Sequence, residues 1–474
     1  MSKPCDLGAC EARRLIGAKQ LSPVELLDSC LARVEQVNPA LNAVVALDAD
    51  RARKAAQAAE QAVMAGEDLG ILHGLPVGIK DLEATAGLRT TWGSLIYKDH
   101  VPDADDPMVA NVRACGGIII GKTNTPEFGA GGNTRNAVYG ATANPFNPEL
   151  TCGGSSGGAA VALASNMMPL ATGSDYGGSL RTPASFCGVV GFRPSPGLVP
   201  SPNKPVALSP FGVLGPMARS VDDAYLLLRA QADIDRRDPF SSSDALDLPE
   251  QLPPIDLARL RVAMSPDLCG MAMSGANADQ FAARMARVRG LFAEARDAAP
   301  DFSDVHECFE ILRGVSFVAA HGERLAQHRD LLGPNVIDNT ERGLAYSLAD
   351  VARAHVQQSN LQRRYRAFFD DVDILLCPAT AVPPFPHRDW YVSEIDGRKM
   401  ETYMRWLGIT YALTMAMPCV CVVPCGVDEN GLPFGIQIAG PSGSDIKVLA
   451  IAAALEHQFA ADPLLARPVA QMAS

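Results

Sequence analysis

A lysine and two serines, each in a glycine-rich segment, are the residues of this chain best suited to chemistry. Lys80 falls in HGLPVGIKD, Ser155 in CGGSSGGAA and Ser179 in GSDYGGSLRTPAS. Glycine lets a backbone approach a bound group closely. A serine hydroxyl is a weak nucleophile at neutral pH and needs a base. Lysine serves as that base when burial in an apolar wall penalises its charged form. The approach His73-Gly74-Leu75-Pro76-Val77-Gly78-Ile79 is such a wall. A second serine can carry the proton between the lysine and the nucleophile. Gly177-Gly178, directly before Ser179, can turn successive N–H groups toward one oxygen and hold the oxyanion of a tetrahedral intermediate. Read together, the three segments describe acyl transfer without histidine, carboxylate or metal.

Two other patterns compete. Gly116 followed by Gly121-Lys122-Thr123 matches a nucleotide-binding phosphate loop. That loop must be open and run into a helix, whereas Gly117-Ile118-Ile119-Ile120 favours a buried strand and Asn124 and Pro126 oppose a helix start. Gly153-x-Ser155-x-Gly157 matches a nucleophile elbow, which requires an acid and then a histidine downstream. Of His306, His321, His328, His355, His387 and His457, most fall in segments that read as solvated helices; only His387 sits in a proline-rich turn.

The elements that must position these residues alternate. Ser22-Pro23-Val24-Glu25 has the cap, first-turn proline and returning glutamate of a helix start. A second helix is predicted over Asp48–Met64, and a short strand over Leu75–Ile79 delivers Lys80 at its end. Helix Met108–Cys115, strand Gly117–Ile120, helix Ala159–Ala164 and strand Met168–Ala171 follow. Such alternation predicts an α/β fold with helices on both faces of a sheet. Residues 233–254 read as a loop or linker, and 277–369 as mainly helical. Strand signals return at 373–376, 419–423 and 433–438, before a last helix over 444–459. The prediction is therefore one domain over 1–474, with a linker and helical insertion at 233–370.

Composition narrows the classes. The chain has 474 residues, 47% apolar and 20% charged, an ordinary globular balance. Its net charge is -12, from 53 acids and 41 bases, and no basic block suggests a nucleic-acid partner. Twelve scattered cysteines, without a CxxC pair or zinc-type spacing, read as free thiols of a reducing compartment and give no metal site. The start MSKPCDLGACEARR has no apolar core of a secretory signal, so the predicted location is cytoplasmic. Trp406–Val427 carries no charge, but Pro418 and Pro424 interrupt it. It reads as a buried helix ending near Met417 and then a core strand, not a membrane span.

The combined motifs resemble the amidase signature family, whose hallmark is a Ser–cis-Ser–Lys triad. The resemblance runs from about Arg13 to Phe459 and is dense from His73 to Val199. It includes Thr123-Asn124-Thr125-Pro126-Glu127-Phe128, Asn144-Pro145-Phe146-Asn147 and Gly191-Phe192-Arg193-Pro194. It implies a central mixed sheet covered by helices, and an enzyme that hydrolyses carboxylic amides without a cofactor. It implies Ser179 as nucleophile, Ser155 as bridging serine after a cis peptide from Gly154, and Lys80 as base. Tyr176, Gly177, Gly178 and Ser179 would supply the oxyanion N–H groups, with Asp175 and Arg181 bracing the loop. The family commonly has threonine where this chain has Tyr176, which leaves a backbone donor in place but alters local shape.

Predicted pocket walls are Thr125–Asn133, including Thr125, Gly129 and Gly131, the Tyr176 loop, and the segment Trp390–Trp406. Trp92, Trp390, Met404 and Trp406 would favour aromatic or apolar acyl groups unless they are simply packed. The expected partner is a small amide, with a homodimer as the working assembly. Within the family, the A subunit of glutamyl-tRNA amidotransferase is the rival. It usually has a tyrosine-rich central segment, where this chain reads GLAYSLADVARAHVQQSNLQRRYRAF. A nucleotide-binding regulatory module, resting on Gly116–Thr123, is the rival of another class.

Overall fold

A computed structural model describes residues 3–470. Runs with no polar face, such as Pro76–Ile79, Ile118–Ile120 and Cys419–Val423, bury both sides and so belong inside a doubly covered sheet. In chain order the strands are β1 (Val44–Leu47), β2 (Pro76–Lys80), β3 (Ile118–Thr123), β4 (Arg135–Asn136), β5 (Gly140–Ala141), β6 (Leu170–Asp175), β7 (Val190–Arg193) and β8 (Val213–Ala218). There follow β9 (Arg261–Met264), β10 (Glu294–Asp297), β11 (Ile374–Pro378), β12 (Glu394–Ile395), β13 (Arg398–Lys399), β14 (Cys419–Val427) and β15 (Pro433–Gly440). Eleven of them form one mixed sheet in the order β1-β3-β2-β6-β8-β7-β14-β15-β11-β9-β10. β4–β5 and β12–β13 are small separate ribbons.

Strand alternation feeds both faces. Ile119 joins a core with Leu227 and Leu228 of helix Val221–Gln231 and with Leu449 and Leu455 of helix Asp445–Ala460. Its neighbours Ile118 and Ile120 join the opposite core, with Leu27 and Leu31 of helix Pro23–Leu41 and with Val161 and Leu163 of helix Gly157–Ala164. The predicted cap of the first of these helices is present: Val24 N–H donates to Ser22 Oγ, and Ser22 N–H to Glu25.

The topology positions the site. β2 and β6 are parallel neighbours, pairing Val77 with Leu170 and Gly78 with Ala171. Lys80 and Ser174 therefore emerge at the same end of the sheet. Helix Gly157–Ala164 starts just after Ser155-Ser156, and helix Arg181–Cys187 just after Ser179. Four segments thus meet beyond the carboxyl ends of parallel strands, where open α/β sheets place ligands.

Nine of the fifteen strands among the described residues have no counterpart in the sequence reading, among them β1, β7 and β8 of the main sheet. β9 and β10 fall inside 233–370 yet extend the main sheet by parallel pairing. β10 is Glu-Ala-Arg-Asp at the sheet edge, partly exposed, so it lacks the apolar signature of a buried strand. The uncharged stretch resolves into helix Gly408–Met415 and strand β14, both in the core. Among the described residues, no helix is long and apolar enough to cross a membrane. The twelve cysteines are free, and nine are buried.

Candidate active site

Lys80 has no solvent exposure, and its Nζ meets three hydroxyls: Ser155 Oγ and Ser156 Oγ at 2.8 Å and Ser174 Oγ at 2.9 Å. A neutral amine has two N–H donors and one lone pair, so three hydroxyls satisfy it completely. Burial lowers the Lys80 pKa to about 8, against the opposing pull of Glu83 and Asp175. The backbone N–H of Lys80 donates to Thr172 Oγ1, which fixes the end of the strand. The peptide between Gly154 and Ser155 is cis.

Ser179 follows a loop organised by Asp175. Asp175 Oδ1 accepts from Gly178 N–H (3.0 Å), and Oδ2 accepts from Leu180 N–H (3.1 Å). Arg181 clamps both oxygens at 3.0 and 2.9 Å, and Arg193 donates to Oδ1 at 3.1 Å. Burial opposes ionisation of Asp175, but the charges of Arg181 and Arg193 outweigh it and hold the carboxyl below the usual range. Arg181 also reaches Thr410 O, Gln437 Oε1 and Thr414 Oγ1, tying the loop to the far half of the chain. Gly178 has φ +122, and a Cβ there would sit 2.4 Å from Thr410 Oγ1, so only glycine fits. Because Gly178 N–H is committed to Asp175, the expected oxyanion set narrows to Tyr176, Gly177 and Ser179.

Ser155, Ser174, Tyr176 and Ser179 line a cavity of about 740 Å³. Of the predicted pocket residues, Gly129 lines it, and a Cβ there would come within 3.4 Å of Ser155 Oγ. Thr125, Gly131 and Trp406 do not line it. Thr125 is buried with its hydroxyl on Pro126 O, and Trp406 packs edge-on against Phe385 in the core. Trp390 lies on the surface under Arg135, whereas Trp92 does line the cavity. Phe128, within the predicted wall Thr125–Asn133, also lines it, but the sequence reading missed Tyr97, Phe317 and His321. Phe317, His321 and the neighbouring Arg313 and Arg324 come from helix Val305–His328, remote in sequence from the glycine-rich segments. Their helical spacing was visible; which side faces the site was not.

The competing motifs resolve as structure. Gly121-Lys122-Thr123 is the end of strand β3, and Lys122 Nζ is bound to Glu83 O and, at 2.8 Å, to Thr85 Oγ1. Ser155 Oγ meets Lys80 where an elbow would need histidine. Among the described residues, no cluster of three or more His, Cys, Asp or Glu is arranged to hold a metal.

An eleven-stranded mixed sheet that gathers a buried lysine and a row of serines beside a deep cavity is the architecture of an amidase. The chain belongs to the amidase family, whose model, described as Amidase, matches residues 25–449. It is 34% identical to an acylamidase of Rhodococcus erythropolis, over 95% of each chain. It is 32% identical to the A subunit of the glutamyl-tRNA(Gln) amidotransferase of Thermosynechococcus vestitus, over 94% of this chain and 97% of that one. Among solved structures, a bacterial aryl acylamidase of the amidase signature enzymes superposes with a TM-score of 0.86 at 29% identity, covering 96% of each chain. The enzyme hydrolyses carboxylic amides.

Proposed function

We propose that hydrolysis runs through a Ser179 acyl-enzyme, with Ser155 relaying the proton to Lys80. The observation that carries this reading is the 2.8 Å contact between the buried Lys80 Nζ and Ser155 Oγ, beside the cavity that Ser179 also lines. Neutral Lys80 takes the Ser155 proton as Ser155 takes that of Ser179. Ser179 Oγ forms a bond to the amide carbon, and the N–H groups of Tyr176, Gly177 and Ser179 hold the oxyanion. The carbon–nitrogen bond breaks as the lysine proton returns through Ser155 to the leaving nitrogen, since an amide anion is a very poor leaving group. Water then attacks the ester by the same relay, releasing the carboxylate.

The aromatic lining and the similarity to the acylamidases favour amides with aryl or apolar groups. The reading takes residues 1–474 as one cytoplasmic domain that needs neither cofactor nor nucleic acid, with a homodimer as its working assembly. The competing reading, the glutaminase component of an amidotransferase, draws on the 32% identity to that component. Assay of anilides, aliphatic amides and glutamine decides between them. Anilide turnover with a burst of amine equal to enzyme is the expected result; turnover of glutamine alone favours the competitor. Full activity in Ser179→Ala would overturn the acyl-enzyme.

A further inference from the structure

Glu83 lies three residues past Lys80, lines the cavity and is 4% exposed. Its backbone is fully used: its N–H donates to Lys80 O at 3.2 Å, and its carbonyl accepts from Lys122 Nζ. Its carboxyl is not. Among the described residues, buried Oε2 has no hydrogen-bond partner. The neighbouring carboxyls differ. Asp81 accepts from Thr91 N–H at 3.1 Å and from Thr91 Oγ1 at 2.6 Å. Asp106 accepts from Ala84 N–H at 2.6 Å and from Asn203 Nδ2 at 2.8 Å.

The cations nearby are engaged elsewhere. Lys80 is held by its serines, and Lys122 by a carbonyl and Thr85. Across the cavity, Arg313 donates to Asn339 and Tyr403, and Arg324 to the Tyr97 hydroxyl. Burial pushes the Glu83 carboxyl up to about 7 in spite of the charges on Lys80 and Lys122, while Asp106 and Asp81 push the same way as burial. Near neutral pH it offers an acceptor oxygen in either protonation state. A buried acceptor without a donor is unfavourable, and a ligand that supplies the donor relieves it.

We infer that Glu83 is a specificity-determining residue that accepts a hydrogen bond from a hydroxyl or amino group on the amide substrate. This rests on the amidase cavity being the substrate site, and it adds a polar requirement to the aromatic lining. An unmatched acceptor in the wall of a cavity, once a substrate donor reaches it, discriminates against substrates that lack the donor more strongly than an apolar pocket discriminates by size.

The test uses two matched pairs of anilides: para-amino against para-methyl on the aniline ring, and para-hydroxy against para-methyl on a phenylacetyl group. The readout is the ratio of kcat/KM within each pair, which is independent of how much of a preparation is folded. In the wild type we expect the donor-bearing member of at least one pair to be preferred by about tenfold or more, as for a hydrogen bond to a charged group. The preference should vanish in Glu83→Leu and survive in part in Glu83→Gln, which keeps an acceptor oxygen. Equal rates within both pairs in the wild type, or a preference that persists in Glu83→Leu, overturn the role of Glu83 and leave the amidase reading intact. No turnover of any of the four overturns the aryl-amide reading and the inference with it.

Discussion

Lys80 Nζ lies 2.8 Å from Ser155 Oγ, and both residues are closed to solvent, at 0% and 2% exposure. A lysine placed this way is not a surface cation. It is a group whose charge is disfavoured by its own burial, and whose hydrogen bonds all go to hydroxyls.

The pH profile follows. With the Lys80 pKa lowered to about 8, the neutral, proton-accepting form grows as pH rises through that value. kcat/KM on a neutral anilide should therefore rise with pH and level off above about 8. The negative charge of Glu83 favours the Lys80 ammonium. Glu83→Gln should consequently move the rising limb to lower pH. A limb that stays in place, or moves to higher pH, contradicts the coupling between the two residues.

Ser155→Ala separates relay from scaffold. The variant leaves Lys80 bonded to Ser156 and Ser174, so the fold should persist. Activity should fall by about 10²–10⁴, the usual contribution of positioned proton transfer. Thermal unfolding and anilide kinetics on the same preparation check both halves. A loss of activity below about tenfold would remove Ser155 from the proton path.

Much of this site was legible because chemistry and backbone share the same short segments. Lys80 ends a strand that has no polar face and Ser155 precedes a helix, both read from local pattern, and Ser179 was picked out by its glycines, although the helix Arg181–Cys187 that follows it was not read. Ser156 and Ser174 lie in the same segments but were passed over as partners of Lys80. Nothing local distinguishes a hydroxyl aimed at the lysine from one that caps a turn. The commitment of Gly178 N–H to Asp175 depends on a side chain that reaches forward three residues and is held by Arg181 and Arg193, and the aromatic wall depends on how helix Val305–His328 packs. These are tertiary facts. Trp406, by contrast, looked like a ligand platform and is core packing, the usual fate of a large apolar side chain.

Asp175→Asn should show what organises the loop that carries Ser179. The substitution keeps the shape but leaves the buried guanidinium groups of Arg181 and Arg193 without their counter-charge. Breaking such a pair destabilises by about 3–5 kcal/mol. The sign with pH is fixed, because the folded carboxyl is held below its ordinary value. Its stabilisation is complete above the unfolded pKa of about 3.9 and is lost as pH falls toward the folded value. Urea unfolding at several pH values should show a less stable Asn variant with a flatter acid-side dependence. Equal stabilities at neutral pH would contradict the account.

Tyr176 should set how the cavity reads the acyl group. Its ring lines the cavity, packs at 5.9 Å from Phe211 and 6.1 Å from Phe309, and lies under the Arg313 guanidinium at 5.4 Å. Its hydroxyl sits 3.2 Å from Ser316 Oγ on helix Val305–His328. The ring therefore braces the Tyr176–Ser179 loop against that helix and forms part of the wall of the cavity that Ser179 also lines. Tyr176→Thr removes the ring and keeps the backbone N–H, so the chemical step should survive. Stability should fall by about 2 kcal/mol, less than for truncating a fully enclosed aromatic. The larger change should be in selectivity, with bulky acyl anilides gaining on acetanilide in kcat/KM. Tyr176→Phe isolates the hydroxyl: it should keep the wild-type size preference and lose only the link to Ser316. A bulky-to-small ratio unchanged in Tyr176→Thr would mean that the ring supports the loop without shaping the acyl site.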